Sequence, residues 1–136
     1  MEWMLMPYRR YFEFSGRSRR KEYWMFALFN FLVYLAFMVL MFALGGSMQY
    51  NGEAAMGPLV SVVMIAMFIW AIATIIPSLA VTFRRLHDTD HSAWWILIGL
   101  VPIIGGLVLL YFYLIEGTHG ANRFGPDPKE GEARGV

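Results

Sequence analysis

The stretch RRLHDTDHSAWW, residues 84–95, separates two long apolar segments of the chain. Residues 59–83 precede it, and residues 94–115 close the apolar region; neither segment contains a charged residue. Two arginines, two aspartates and two histidines cannot lie in hydrocarbon unless protein groups surround them. The pattern therefore predicts a polar turn at a membrane surface, joining two membrane-spanning helices.

The composition also favours a membrane protein. The 136 residues are 58 % hydrophobic and 15 % charged, whereas soluble domains are about 45–50 % apolar and about 25 % charged. This length predicts a single domain. The absence of cysteine excludes disulfides, thiolate metal sites and cysteine nucleophiles. We predict an all-α integral membrane protein with three transmembrane helices, preceded by an N-terminal interfacial amphipathic segment.

Charge and aromatic patterning divide the chain into three parts. The first is basic and aromatic, and its apolar side chains fit a helix lying in the headgroup plane. Uncharged runs long enough to cross about 30 Å of hydrocarbon follow, and the chain ends in a polar tail. The predicted parts are an interfacial segment at 1–22, a transmembrane domain at 23–115 with spans near 23–44, 59–83 and 94–115, and a C-terminal tail at 116–136.

Pro77 interrupts the predicted second span. Proline has no N–H and displaces the carbonyl four residues earlier, so a kink is expected between Ala73 and Pro77. Thr74, Ser78 and Thr82 lie four residues apart in the same segment. They form a weakly polar stripe suited to close packing between helices.

The third apolar run allows two interpretations, because Pro102, Gly105 and Gly106 fall in its middle. It is either a bent spanning helix or a re-entrant hairpin that turns at 102–106. A hairpin places backbone polar groups at membrane depth, which is tolerated only inside protein. Two other helices offer little interior, so we favour the spanning helix.

The basic residues predict the orientation of the chain. Residues 1–22 contain six of the 11 lysines and arginines, and Arg84 and Arg85 add two. Basic residues accumulate on the cytoplasmic side. Three spans then place the N-terminus in the cytoplasm and the C-terminus on the periplasmic or extracellular side. A hairpin would instead place all 11 in the cytoplasm.

Three motifs resemble those of a known family. Residues 14–24, FSGRSRRKEYW, resemble its F-x-G-R-x-x-R-x-E-Y-W signature, and residues 84–95 resemble its R-R-L-H-D-x-x-x-S-G-W-W turn. Residues 117–128, GTHGANRFGPDP, resemble its G-T-x-G-x-N-R-F-G-P-D-P tail. The family is that of bacterial inner-membrane proteins catalogued as domain of unknown function 805. Asp90 and Ala93 stand where the family usually has glycine.

This resemblance extends from about residue 11 to residue 128. It implies a location in the bacterial inner (plasma) membrane, with the chain crossing it more than once. It brings no catalytic residues, because the activity of the family is not established.

The polar residues of the turn resemble two kinds of chemical site. His87 and His91 have helical ligand spacing, but no third metal ligand is fixed by the sequence. Ser92, His87 and Asp88 contain the residue types of a catalytic triad without a nucleophile elbow. We therefore predict no enzyme activity, no metal, no cofactor and no nucleic-acid partner.

We also predict ion pairs that join the start of the first transmembrane helix to the polar turn. Arg17 or Arg20 is expected to pair with Asp88, and Glu22 with Arg84 or Arg85. The predicted structural and interaction cluster comprises Arg17, Arg20, Glu22, Arg84, Arg85, His87, Asp88, Asn122 and Arg123.

The function that fits this pattern is a structural or interaction protein, a scaffold or regulator in the membrane. The alternative is a subunit of an oligomeric transporter or channel. Expected partners are anionic lipid headgroups, which attract cations near the surface, and a second copy of the chain or another membrane protein.

Overall fold

The computed structural model describes residues 2–49 and 57–129. The regular secondary structure of the described residues is helical, apart from one isolated antiparallel bridge between Asn122 and Gly125. The helices are α1 (Glu2–Arg9), α2 (Arg20–Gln49), α3 (Pro58–Asp88), the 3-10 helix η1 (Ala93–Leu100) and α4 (Ile104–Leu114).

Two helices, α2 and α3, form an antiparallel pair. Glu22 of α2 contacts Arg84 of α3, and Asn30 contacts Trp70. With 30 and 31 residues, the helices are about 45 Å long, more than the roughly 30 Å of a hydrocarbon core. Both are long and apolar enough to cross a membrane. Most of their large apolar side chains face outward.

Helix boundaries differ from those that the sequence predicts. Helix α2 continues through Gly45 to Gln49, beyond the predicted end at residue 44. Helix α3 includes residues 84–88, which were expected in the turn. Residues 50–56 of the predicted loop lie outside the described residues, and so does the tail after residue 129.

Helix α1 packs against the helix pair. The Trp3 ring lies 5.0 Å from the Arg19 guanidinium and 5.4 Å from the Lys21 ammonium. Farther along α1, the Tyr8 ring lies 5.3 Å from the ring of Phe26, at an angle of 58°. The position of residues 1–22 in the headgroup plane stays a prediction.

The single helix predicted over 94–115 is wrong, because this segment is a helical hairpin. Helices η1 and α4 are separated by residues 101–103, and Ile103 has a φ of 67°. The arms pack together, with the Trp95 and Phe112 rings 5.5 Å apart. Pro102 prevents continuation of η1, because it clashes with the preceding turn and has no N–H. At 2.0 and 1.5 Å per residue, the arms are each about 16 Å long.

Gly105 allows the two arms to approach. A Cβ at this position would lie 1.7 Å from the carbonyl oxygen of Ile98, a backbone atom that cannot rotate away. A Cβ on the neighbouring Gly106 would meet nothing within 4 Å. The hairpin therefore depends on the absence of a side chain at residue 105.

These glycines give a matched pair of variants. We expect Gly105→Ala to lower the free energy of unfolding by about 1–3 kcal/mol, because the added methyl forces the arms apart. Gly106→Ala should leave stability unchanged or raise it by up to about 1 kcal/mol, as alanine favours helix. Thermal unfolding in detergent measures both, and equal effects would contradict the hairpin packing.

Candidate functional site

A buried cluster of ionised side chains lies at the end of the helix pair where α2 begins and α3 ends. Arg84 and Arg85 are fully buried, and Glu22, Asp88 and Arg17 are nearly so. Buried ionised groups are stable only when they are paired and hydrogen-bonded. Each partner therefore identifies a part of the fold that the cluster holds in place.

Arg84 connects α3 to the N-terminal segment. Its Nη2 donates to Glu22 Oε1 at 2.9 Å, and its Nε donates to Ser18 Oγ at 2.8 Å. Its Nη1 donates to the carbonyl oxygens of Arg10, at 3.3 Å, and of Glu13. The guanidinium thus satisfies carbonyls in the turn that follows α1.

Arg85 connects α3 to the end of the hairpin. Its Nη1 lies 2.5 Å from Asp88 Oδ2, one helical turn away. Its Nη2 donates to the carbonyl of Ile115, and its Nε to that of Tyr113 at 3.4 Å. The last carbonyls of a helix have no intrahelical donor, and Arg85 supplies donors for the end of α4.

Arg17 fastens the tail. Its Nη2 lies 3.0 Å from Asp88 Oδ1, and its Nη1 donates to the Gly120 carbonyl at 2.7 Å. Nη2 also donates to the Thr118 carbonyl at 2.5 Å. The tail therefore lies at the same end of the helix pair as the N-terminal segment. A single unbroken helix over residues 94–115 would place these segments at opposite ends of the helix pair, which these contacts contradict.

His87 and Asn122 complete the attachment of the tail. The His87 ring stacks on Phe124, with centroids 4.1 Å apart and planes at 8°, and its Nδ1 lies 3.0 Å from the Gly16 carbonyl oxygen. Asn122 Nδ2 donates to the His87 carbonyl at 2.9 Å, and Asn122 Oδ1 accepts from the Phe124 N–H. The FGPDP part of the tail is thereby held against the end of α3.

Asp127 stabilises the loop of the tail from within. Its carboxylate accepts from the backbone N–H groups of Lys129 and Gly120, both at 2.9 Å. These bonds, chiefly that from Lys129, lower the pKa of Asp127 below its usual value. The ionised carboxylate of Asp127 is therefore the form that these backbone groups stabilise.

Two predicted members lie at the edge of the cluster. Arg20 donates to the Leu114 carbonyl at 3.1 Å and lies 3.8 Å from Glu116, so it does not pair with Asp88. Arg123 pairs with Asp90 at 3.3 Å on the surface. Asp90 has a φ of 61°, a conformation that glycine adopts readily and aspartate tolerates.

Sequence reasoning missed Ser18 and Gly117 as members of the cluster. The Ser18 side chain is buried, and its hydroxyl accepts from Arg84 Nε. A Cβ on Gly117 would lie 2.0 Å from Asp88 Oδ2, so only glycine fits beside this carboxylate. The glycine of the tail motif is a signal for such close approach, but the sequence does not identify the approaching group.

The geometry separates the residues that resemble a catalytic triad. Both oxygens of Asp88 face arginines, and His87 Nδ1 faces the Gly16 carbonyl. Ser92 is the N-cap of η1, where its side chain accepts from the Trp94 N–H. Within residues 2–49 and 57–129, no group of three or more histidine, aspartate or glutamate side chains is placed to hold a metal ion.

The long apolar helices and the buried ionic cluster define a small helical protein with two helices that are long and apolar enough to cross a membrane. The chain belongs to the family described as "Protein of unknown function (DUF805)", whose model matches residues 11–126. It is 44 % identical over 131 residues to "Inner membrane protein YhaI" of Escherichia coli strain K12, covering 96 % of this chain and 98 % of that relative.

Two further proteins of the same strain are similar. "Inner membrane protein YhaH" is 44 % identical over 129 residues, covering 95 % of this chain and 98 % of the relative. "Uncharacterized protein YiiR" is 27 % identical over 144 residues, covering 88 % of each chain. No solved structure matches the chain. The family has no established biochemical activity.

An aspartate-to-asparagine substitution can be compared at a buried position, Asp88, and at an exposed position, Asp90. We expect Asp88→Asn to lower the free energy of unfolding by about 3–5 kcal/mol, because two buried guanidinium groups lose their counter-charge. Asp90→Asn removes a surface pair that typically contributes about 0–1 kcal/mol, and asparagine tolerates a positive φ. Detergent unfolding curves compare them, and equal losses would exclude Asp88 as the central carboxylate.

Proposed function

We propose that α2 and α3 cross the inner membrane, while the hairpin enters and leaves on the cytoplasmic side. Each arm of about 16 Å covers only half of a hydrocarbon core of about 30 Å. Ten of the 11 lysines and arginines lie in segments 2–22, 84–90 and 116–129. The cluster joins these segments, and the positive-inside rule assigns them to the cytoplasm. Both termini are then cytoplasmic.

Within this topology the protein is a scaffold, not an enzyme. The observation that carries this conclusion is that every guanidinium nitrogen of the three buried arginines makes a hydrogen bond within the chain. Arg17, Arg84 and Arg85 each use Nε, Nη1 and Nη2 in hydrogen bonds within the chain. A site that binds an anionic substrate needs free donors, whereas these donors hold the fold together.

The surface available to a partner is apolar and lies within the bilayer. At the turn of the hairpin, Leu100 and Ile103 are 81 % and 83 % exposed. Ile103 is also a β-branched residue at positive φ, a strained conformation that occurs mainly at functional sites. The scaffold binds a second copy or another membrane protein through such surfaces, and its exposed cations attract anionic headgroups.

Single-cysteine variants test the topology, because the chain has no cysteine of its own. We expect His119→Cys, at an exposed side chain of the tail, to resist a membrane-impermeant maleimide in intact spheroplasts and to react after permeabilisation. Gly57→Cys, at the start of α3 on the opposite end, should react before permeabilisation. Labelling of His119→Cys in intact spheroplasts would contradict the hairpin topology.

In-cell photocrosslinking tests the scaffold. A benzophenone amino acid at Ile103 is expected to yield discrete protein adducts, identified by mass spectrometry as this chain or a defined membrane protein. The same probe at Phe12, an exposed aromatic in the turn after α1, is the control outside the hairpin. Absence of protein adducts from Ile103, in a protein at normal abundance, would contradict partner binding by the hairpin.

A further inference from the structure

Pro77 leaves a backbone acceptor without its usual donor in the middle of α3. The N–H of residue 77 would bond to the Ala73 carbonyl, and proline has none. The Tyr11 hydroxyl donates to this carbonyl oxygen at 2.7 Å. A side chain from the turn after α1 thus replaces the missing backbone bond.

Tyr8 makes a second set of bonds across the helix pair. Its hydroxyl donates to Asn30 Oδ1 of α2 at 3.0 Å and lies 3.3 Å from Thr74 Oγ1 of α3. Trp70 Nε1 also donates to Asn30 Oδ1, at 3.3 Å. Asn30 and Thr74 are buried, so both helices direct polar groups at one tyrosine in otherwise apolar surroundings.

Tyr8 and its two partners line different apolar grooves. One, of about 630 Å³, lies between α2 and α3 and includes Asn30 and Thr74 in its wall. The other, of about 480 Å³, is lined by Tyr8, Trp70 and Ala73. The contacts of the Tyr8 hydroxyl therefore join the wall of one groove to the wall of the other.

We propose that α1 and the turn after it form a releasable lock on α3 at Pro77, where the backbone hydrogen bond to the Ala73 carbonyl is missing. In the locked state, Tyr11 satisfies the Ala73 carbonyl and Tyr8 joins α2 to α3. Release removes both, allows α3 to bend at Pro77, and connects the two grooves into a cleft between the helices.

The length of α1 makes release accessible. It has eight residues, including Pro7, and isolated helices shorter than about 12–15 residues are marginal in water. Its helical structure therefore depends on docking. Short segments of this kind open locally at lower free energy than the core of a protein. Deleting either tyrosine hydroxyl removes part of what holds the segment in place.

Hydrogen exchange measures release directly. In purified protein, Tyr8→Phe and Tyr11→Phe are each expected to speed amide exchange in residues 8–10, whose N–H groups bond within the last turn of α1, by about fivefold or more, the effect of one lost hydrogen bond. Exchange in α3 near Ala80 and Val81, which are buried, should change less than in α1. Tyr111→Phe, on the exposed surface of the hairpin, is the matched control and should leave exchange in α1 unaltered.

A double-mutant cycle with Pro77→Ala distinguishes the lock from ordinary packing. Alanine restores an N–H that bonds to the Ala73 carbonyl, so Tyr11→Phe should then shift the thermal midpoint by less than half of its shift in the Pro77 background. The effect of Tyr8→Phe should be similar in both backgrounds, because Tyr8 does not contact Ala73. Equal shifts for Tyr11→Phe in the two backgrounds, or unaltered α1 exchange in both tyrosine variants, would overturn the proposal.

Discussion

Backbone carbonyls at the ends of helices need donors, and three buried arginines supply them at one end of this protein. The last four carbonyls of a helix have no intrahelical partner. Here the carbonyls after α1 are satisfied by Arg84, those at the end of α4 by Arg85, and those in the tail by Arg17. The end of α3 completes the set, because Asn122 and the Thr118 N–H bond to its carbonyls. Without these three arginines, the N-terminal segment, the hairpin and the tail would all lose their attachment to the end of the helix pair.

The charges of the cluster do not balance among side chains alone. Three buried arginines face two buried carboxylates, Glu22 and Asp88. The carbonyl ends of α3 and α4 carry the negative pole of the helix dipole, and they point at Arg17 and Arg85. Helix dipoles therefore contribute to neutralisation in addition to the acidic side chains. This explains why arginine occupies these positions, since only its five N–H groups can bond to a carboxylate and several carbonyls at once.

The sequence predicted the two long helices and the membrane environment, because charge-free length is a strong and local signal. The pairs Arg17–Asp88 and Glu22–Arg84 were among those expected, and both are present. The hairpin was the less favoured of two interpretations, because Pro102 fits either a bent helix or a turn. The deciding contacts are non-local: Arg85 reaches the carbonyl of Ile115 across 30 positions. A hairpin needs protein groups around its backbone. The buried ionic cluster and the close contact of Gly105 with Ile98 provide them, and the spacing of residues in the sequence reveals neither.

The hairpin makes the proposed membrane domain asymmetric. Its start is attached to α3 through the short turn at residues 89–92, and its end is held by Arg85, so both ends of the hairpin are fixed at the same end of the helix pair. Arms of about 16 Å end near the middle of the bilayer. In the proposed topology, the half of α2 and α3 beside the hairpin therefore has additional helices next to it, whereas the other half faces lipid or a partner. Since bare helix pairs rely on packing with neighbours in lipid, the outer half of α2 and α3, together with the turn of the hairpin, is the surface where a partner would contribute most to stability.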